Sequence, residues 1–260
     1  MLATADPAAK AAASFELAAR WAEGALPVGA AEPPARPARP AHPELRPPRD
    51  MPRRRNFGSP AGRAALLHAL AHIELNAIDL VWDLVARFAG IGLARGFFDD
   101  WVGVAAEEAR HFQLLAARLA DFDMRYGDLP AHDGLWEAAA ATASDLLARL
   151  AVVPLVLEAR GLDVTPAMAM RLERAGDARS AAILRVIYQQ EIGHVAIGRR
   201  WFDDLCRAER LVPEEVFHDR VGRFFRGALK PPFNHAARAA AGLPASYYEA
   251  LAYPGERCGV

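Results

Sequence analysis

The sequence predicts an all-α protein organised around a four-helix bundle with a long crossover connection. Alanine is abundant in the 260 residues, whereas runs rich in Val, Ile, Thr and aromatic residues, which favour strands, are nearly absent. With 53% hydrophobic and 24% charged residues, the chain can bury a full core. Glutamate and histidine also recur at matching intervals, which indicates helices that share one interior.

The first 58 residues are expected to form a short helix followed by an extended arm. The segment from Ala8 to Gly24 is amphipathic, whereas residues 32–60 are too rich in proline for a regular helix. Glu44 and Asp50 interrupt the positive charge of the arm, and no aromatic residues interleave, so a solvated arm laid over the bundle is favoured over an RNA or phosphate contact. Its arginines are Arg36, Arg39, Arg46, Arg49, Arg53, Arg54 and Arg55.

The bundle is expected over residues 59–228, and a helical tail over 229–260 should pack on it. Ser59 followed by Pro60 is typical of a helix start. The long helices are predicted over 60–88, 97–122, 135–160 and 178–207. Short helices are predicted over 166–175, starting at Thr165-Pro166, and 213–227, and Lys230-Pro231-Pro232 should break the chain. The long interval between the second and third helices leaves room for the crossover.

The chemistry of the chain is concentrated in two Glu-x-x-His steps, each preceded by a lone glutamate about one helical hairpin upstream. The six residues are Glu74, Glu108, His111, Glu158, Glu191 and His194. Most of their neighbours three, four and seven positions away are apolar, which places each of them on a face directed to the core. Buried carboxylates cost several kcal/mol unless they are paired or bound to metal, and no Lys or Arg occupies the matching positions. This is the ligand set of a dinuclear metal site inside a four-helix bundle.

Carboxylate and imidazole ligands suit two iron ions, with manganese as a substitute. Glu108 and Glu191 are predicted to bridge the ions, with Glu74 and Glu158 as terminal ligands. Glu107 is the alternative to Glu108, since it stands four positions before His111. Glu108 is preferred because it reproduces the step seen at Glu191.

Other residues have less specific interpretations. Tyr188 lies one turn before Glu191 and could donate to a ligand carboxylate or act as a redox side chain, or be a core tyrosine bonded to backbone. His72 is expected on the opposite face from Glu74, as a packing or surface residue. Cys206 and Cys258 form no disulfide framework, which indicates a core thiol and a tail thiol in a reducing compartment.

A cytoplasmic location is expected for this chain. Its net charge of −1 gives no general attraction to nucleic acid or anionic membranes. The sequence shows neither a secretion signal nor an apolar run of transmembrane length. The expected partners are a small-molecule substrate and an electron donor, whereas nucleic acid is disfavoured and no membrane contact is expected.

The six residues lie in the segments HIELNAID (72–79), EARHF (108–112), LEARGLD (157–163) and EIGHVAIG (191–198), and two further motifs are KPPFN (230–234) and MPRR (51–54). Together they resemble a ferritin-like family catalogued as a domain of unknown function. The resemblance implies a ferritin-like four-helix fold, all six ligands in place, and an ordered Pro/Arg-rich arm. More distantly, the ligand pattern is similar to that of tRNA-modifying non-haem diiron monooxygenases that hydroxylate a prenyl group, which is an analogy only.

Three functions fit this site. The favoured one is an O₂-activating oxidase or monooxygenase, because a large apolar lining would shield reactive chemistry from water. The alternatives are metal storage, detoxification or peroxide scavenging, and a binding module in which metal only stabilises the fold. Storage is disfavoured because the arm and the extra C-terminal helices suit a hollow shell poorly.

Overall fold

The fold was determined as a computed structural model that describes residues 1–30, 32–47, 50–51 and 57–252. The described residues form no β-strand, and Leu45 and Ala131 make an isolated bridge. The helices are α1 (Pro7–Ala22), α2 (Pro60–Arg87), α3 (Arg95–Ala120), α4 (Gly134–Ala141), α5 (Leu146–Val152), α6 (Ala159–Arg174), α7 (Ala178–Ala208), α8 (Pro213–Phe224), α9 (His235–Ala240) and α10 (Ala245–Ala252). A π-helical segment, Val153–Glu158, joins α5 to α6. The all-α prediction is confirmed for these residues, and the ferritin-like arrangement stays a prediction.

The chain divides into two compact units. Unit 1 consists of Met1–Glu137 and Ala169–Ile183, and unit 2 of Ala138–Met168 and Leu184–Val260. In unit 1, α2 and α3 pack along each other, and α1 packs against both. In unit 2, α5 and α10 pack against α8. The predicted boundaries at residues 58 and 228 stay predictions.

Helix α2 is the central apolar helix of unit 1. It begins as predicted, since the backbone N–H of Gly62 donates to Ser59 Oγ over 3.1 Å and Pro60 occupies the first turn. Leu67, Ala71 and Ile78 are fully buried along it. The expectation that no apolar run reaches transmembrane length is wrong for this helix, which could cross a membrane by length and composition. Its apolar stretch is mostly buried within the protein, as in a core helix.

The Pro/Arg-rich arm follows α1 in unit 1, and its described residues between Ala25 and Pro47 form no helix. Arg39 Nη2 donates to Asn76 Oδ1 of α2 over 2.7 Å, and Arg36 pairs with Asp133. Both contacts agree with an arm laid over the helices. Arg46 pairs instead with Glu44 over 2.6 Å. The remaining arginines lie outside the described residues: Arg49, Arg53, Arg54 and Arg55.

The prediction of one continuous helix over residues 135–160 is wrong, because the helix is interrupted within this range. Helix α4 ends at Ala141, and α5 begins after Asp145, whose carboxylate accepts from the N–H of Ala148 over 2.9 Å. The predicted stop at Gly161 and new start at Thr165-Pro166 are also wrong, because α6 runs through both. The other predicted helices, including the short one after Pro213, are confirmed to within about three residues, as expected for helix ends.

Pro166 sits inside α6 because its lost hydrogen bond is replaced. Proline has no N–H, so the carbonyl four residues earlier, that of Leu162, loses its helical donor. The Asn234 side-chain amide donates to this carbonyl over 3.1 Å. Leu162 and Leu172 are fully buried in the same helix, and their burial opposes a break. The segment after Lys230 is therefore part of what keeps α6 continuous.

Candidate metal centre

Glu74 lies on the buried face of α2. The residue is only 5% exposed, and Ala71 and Ile78, one turn before and after it, are not exposed at all. Ile73, the preceding residue, is exposed and marks the solvent-facing side of the helix. The helical period of the apolar residues thus brings this carboxylate into the interior of unit 1.

Glu108 and His111 lie one turn apart on α3, and neither is exposed. Their apolar neighbours Val104, Ala105 and Leu115 are buried as well. Glu107 is half-buried, so the buried carboxylate nearest to His111 on this helix is that of Glu108. The i, i+3 spacing lets both side chains project to one side.

The three side chains meet within unit 1. His111 Nδ1 lies 3.2 Å from Glu74 Oε2 and 3.4 Å from Glu108 Oε2, and one ligand atom of each residue lies within 4.8 Å of the others. Burial lowers the pKa of His111, but hydrogen bonds and charge from Glu108 and Glu74 outweigh it and raise the pKa to about 11. Two buried carboxylates therefore attract positive charge at one point.

Unit 2 carries the other three predicted ligands. On α7, Glu191 is 8% and His194 1% exposed, and His194 Nδ1 lies 3.6 Å from Glu191 Oε2. Glu158 closes the π-helical segment, and both of its carboxylate oxygens are buried. Within unit 1, the buried carboxylates of Glu74 and Glu108 and the imidazole of His111 could hold a metal ion. This donor set fits iron or manganese.

The π-helical segment is packed closely against α7 within unit 2. A Cβ placed on Gly198 would lie 2.5 Å from Pro154 Cβ, so only glycine fits there without a shift. Pro154, Leu155 and Val156 are buried in the same segment. Extra-residue turns of this kind are frequent at functional sites, and this one ends at Glu158.

The remaining residues singled out in the sequence have structural partners. Tyr188 hydroxyl accepts from the Asn234 amide over 3.2 Å. His72 is buried, with Nδ1 2.9 Å from Tyr126 hydroxyl and Nε2 3.0 Å from the carbonyl of His132, so it is a packing residue rather than a surface one. Burial raises the pKa of Cys206 to about 11, which fits an unreactive core thiol, and Cys258 lies outside the described residues.

One buried polar cluster of unit 1 has no counterpart in the sequence interpretation. Lys10 Nζ lies 2.5 Å from Asp79 Oδ1, and Arg39 Nε lies 3.2 Å from Asp79 Oδ2. Asp79 stands five positions after Glu74, in the same HIELNAID segment. The apolar residues around Asp79 could have indicated that its carboxylate is buried. Its partners Lys10 and Arg39 could not be predicted, because they are distant in sequence and belong to no recognisable motif.

Comparison with known proteins identifies a family for nearly the whole chain. The family described as "Protein of unknown function (DUF455)" matches residues 3–249. A relative from Haemophilus influenzae, described as an uncharacterized protein, is 42% identical over 211 residues, which cover 78% of this chain and 72% of the relative. No solved structure gives a significant match. The chain belongs to the DUF455 family.

Proposed function

We propose that this protein is a dinuclear metal-carboxylate oxidoreductase that activates O₂ to oxidise a small organic molecule. The observation that carries the proposal is the convergence of Glu74, Glu108 and His111 in the buried interior of unit 1. A structural role alone would be served as well by apolar residues, since buried charges cost free energy. Iron is the favoured metal and manganese a substitute.

The raised pKa of His111 supports a cation at this position. Without metal, a proton on the imidazole is the positive charge that the Glu74 and Glu108 carboxylates stabilise. A divalent cation would take over that role and would bind the neutral imidazole. The residues therefore fit a metal by charge as well as by atom type.

We further propose that Glu158, Glu191 and His194 complete the centre, so that four carboxylates balance the four positive charges of two ions. The matched Glu-x-x-His steps on α3 and α7 support this arrangement, as does the burial of all six sets of ligand atoms. A ferritin-like four-helix bundle is the fold in which such helices meet.

The protein itself would contribute to the chemistry in two ways: it holds the ligand side chains in place, and its apolar residues keep water away from the site. Bound iron would pass to O₂ the electrons that an external electron donor or the substrate supplies. Trp101, Val104 and Leu115 are buried within two turns of the ligands on α3, and they would exclude water. Leu184 and Val195 are buried at the same spacing from Glu191 on α7 and would act in the same way. A cytoplasmic setting agrees with the buried free thiol of Cys206.

The decisive experiment is an anaerobic titration of the metal-free protein with Fe(II), followed by exposure to O₂. Saturation near two irons per chain, with O₂ uptake and an absorbance change, is expected. Many irons per chain as a mineral would indicate storage instead. Saturation near two irons with raised thermal stability but no reaction with O₂ would indicate a structural metal and contradict the enzyme.

A further inference from the structure

Unit 2 contains a cavity of about 270 Å³ that lies between the π-helical segment, the start of α6 and the chain from Phe225 to Phe233. Its size is just below the range of ordinary small-molecule pockets, so its occupant is small. None of the residues proposed as metal ligands lines it.

Four cationic side chains line this cavity: Arg160, Arg226, Lys230 and Arg238. The described residues that line it include no aspartate or glutamate. Arg226 and Lys230 are exposed, whereas Arg238 is 1% exposed and is anchored by Asp163, whose Oδ2 accepts from its Nη2 over 2.7 Å. Asp163 also lies 3.4 Å from Arg160 Nη1. Because four cationic side chains and no acidic one among the described residues line the cavity, it has an excess of positive charge.

Arg238 keeps hydrogen-bonding capacity beyond its contact with Asp163. Its Nε and Nη2 donate to the Asp163 carboxylate, and Nη2 also lies 3.3 Å from the carbonyl of Ala159. Its Nη1 is buried and has no hydrogen-bond partner among the described residues. A buried guanidinium N–H without an acceptor is costly, so an anionic oxygen at this point would be strongly favoured.

The rest of the wall is apolar. Val156 and Leu157 of the π-helical segment, with Phe225, Leu229 and Phe233, complete the lining. The Phe233 ring also lies 5.0 Å from the Arg238 guanidinium carbon, which keeps that side chain in place. A bare inorganic ion would leave this apolar surface in water, whereas an organic anion would cover it.

We propose that this cavity binds a small organic anion, with a carboxylate or phosphate group on the arginines and an apolar body against the Val156–Leu157 wall. The site stands independently of the metal centre. It needs only the charge and shape of the described residues of unit 2, whether or not metal is bound.

The test is a calorimetric titration of the full-length protein with phenyl phosphate and with benzoate. Inorganic phosphate, which lacks the apolar body, and benzyl alcohol, which lacks the charge, are the ligand controls. The charge-reversed variant Arg226→Glu/Lys230→Glu is expected to weaken binding at least tenfold. Both side chains are exposed, so circular dichroism should show the fold unchanged.

Arg223→Glu is the matched protein control. Arg223 is exposed on α8, three residues before Arg226, and does not line the cavity. The site is supported if either organic anion binds saturably, if its affinity changes by no more than twofold in Arg223→Glu, and if binding is lost in the double variant. The organic anion that binds more tightly identifies the anionic group that the site prefers. Absence of binding by both, equal binding of inorganic phosphate, or an equal loss in Arg223→Glu would overturn it.

Discussion

The ammonium of Lys10 and the carboxylate of Asp79 lie 2.5 Å apart, with side chains that are 1% and 0% exposed. The contact joins α1 to α2 across 69 positions of sequence. Lys10 Nζ also donates to the carbonyl of Ala38 over 2.9 Å, so the arm is held by the same ammonium. This buried ion pair fixes the N-terminal part of unit 1.

Lys10→Met should lower the free energy of unfolding by about 3 kcal/mol, because Asp79 would be left buried with Arg39 alone. Urea unfolding measures this change. Lys230→Met removes an exposed lysine and should change stability by less than about 0.5 kcal/mol. The double variant Lys10→Met/Asp79→Leu should be more stable than Lys10→Met. Equal stabilities of the two would show that Asp79 tolerates the loss of its partner.

Glu108→Ala should abolish binding of at least one metal ion, whereas Glu107→Ala should keep full occupancy. The two residues are adjacent on α3, but Glu108 is fully buried beside His111 and Glu107 is half-buried. Native mass spectrometry or elemental analysis counts the ions per chain. Full metal occupancy in Glu108→Ala would refute the predicted ligand set. Loss of metal in Glu107→Ala but not in Glu108→Ala would show that Glu107 is the ligand instead of Glu108.

Gly198→Ala should lower stability by about 1–3 kcal/mol, because the added methyl group would lie 2.5 Å from Pro154 Cβ. Gly193→Ala, five residues earlier on α7, meets nothing within 4 Å and should be neutral or up to about 1 kcal/mol stabilising. Thermal unfolding of both variants tests the contrast. If α7 and the π-helical segment separate easily, the two substitutions will behave alike.

His72 should make the protein less stable as pH falls from 6.5 to 4. Burial lowers its pKa from 6.5 to about 4, so between these values the unfolded chain binds more protons than the folded one. The slope would approach about 1.4 kcal/mol per pH unit, for a total of up to roughly 3 kcal/mol. Urea unfolding of wild type and His72→Gln at several pH values isolates this contribution. Parallel curves for the two proteins would exclude it.

The long helices of unit 1 could be predicted because their signals are local. Ser59 and Pro60 mark the start of α2, and the apolar period around Glu74 continues through most of its length. The same period placed Glu108 and His111 on a buried face of α3. Local spacing along a helix is thus enough to find a candidate ligand and its orientation.

The connection around Glu158 could not be predicted from local signals. Gly161 and Pro166 are ordinary signs of a helix end and a helix start, yet α6 runs through both. The replacement donor for the Leu162 carbonyl comes from Asn234, 72 positions away. The partners of Asp79 are equally distant, since Lys10 and Arg39 lie in a different helix and in the arm.

Asn234 donates hydrogen bonds to three groups of unit 2: the Leu162 carbonyl, the Asp163 carboxylate through its backbone N–H, and the Tyr188 hydroxyl. The segment around Asn234 therefore holds parts of unit 2 together and is not a dispensable extension. A protein truncated before Lys230 would lose the amide that donates to the Leu162 carbonyl, and it should aggregate when it is produced.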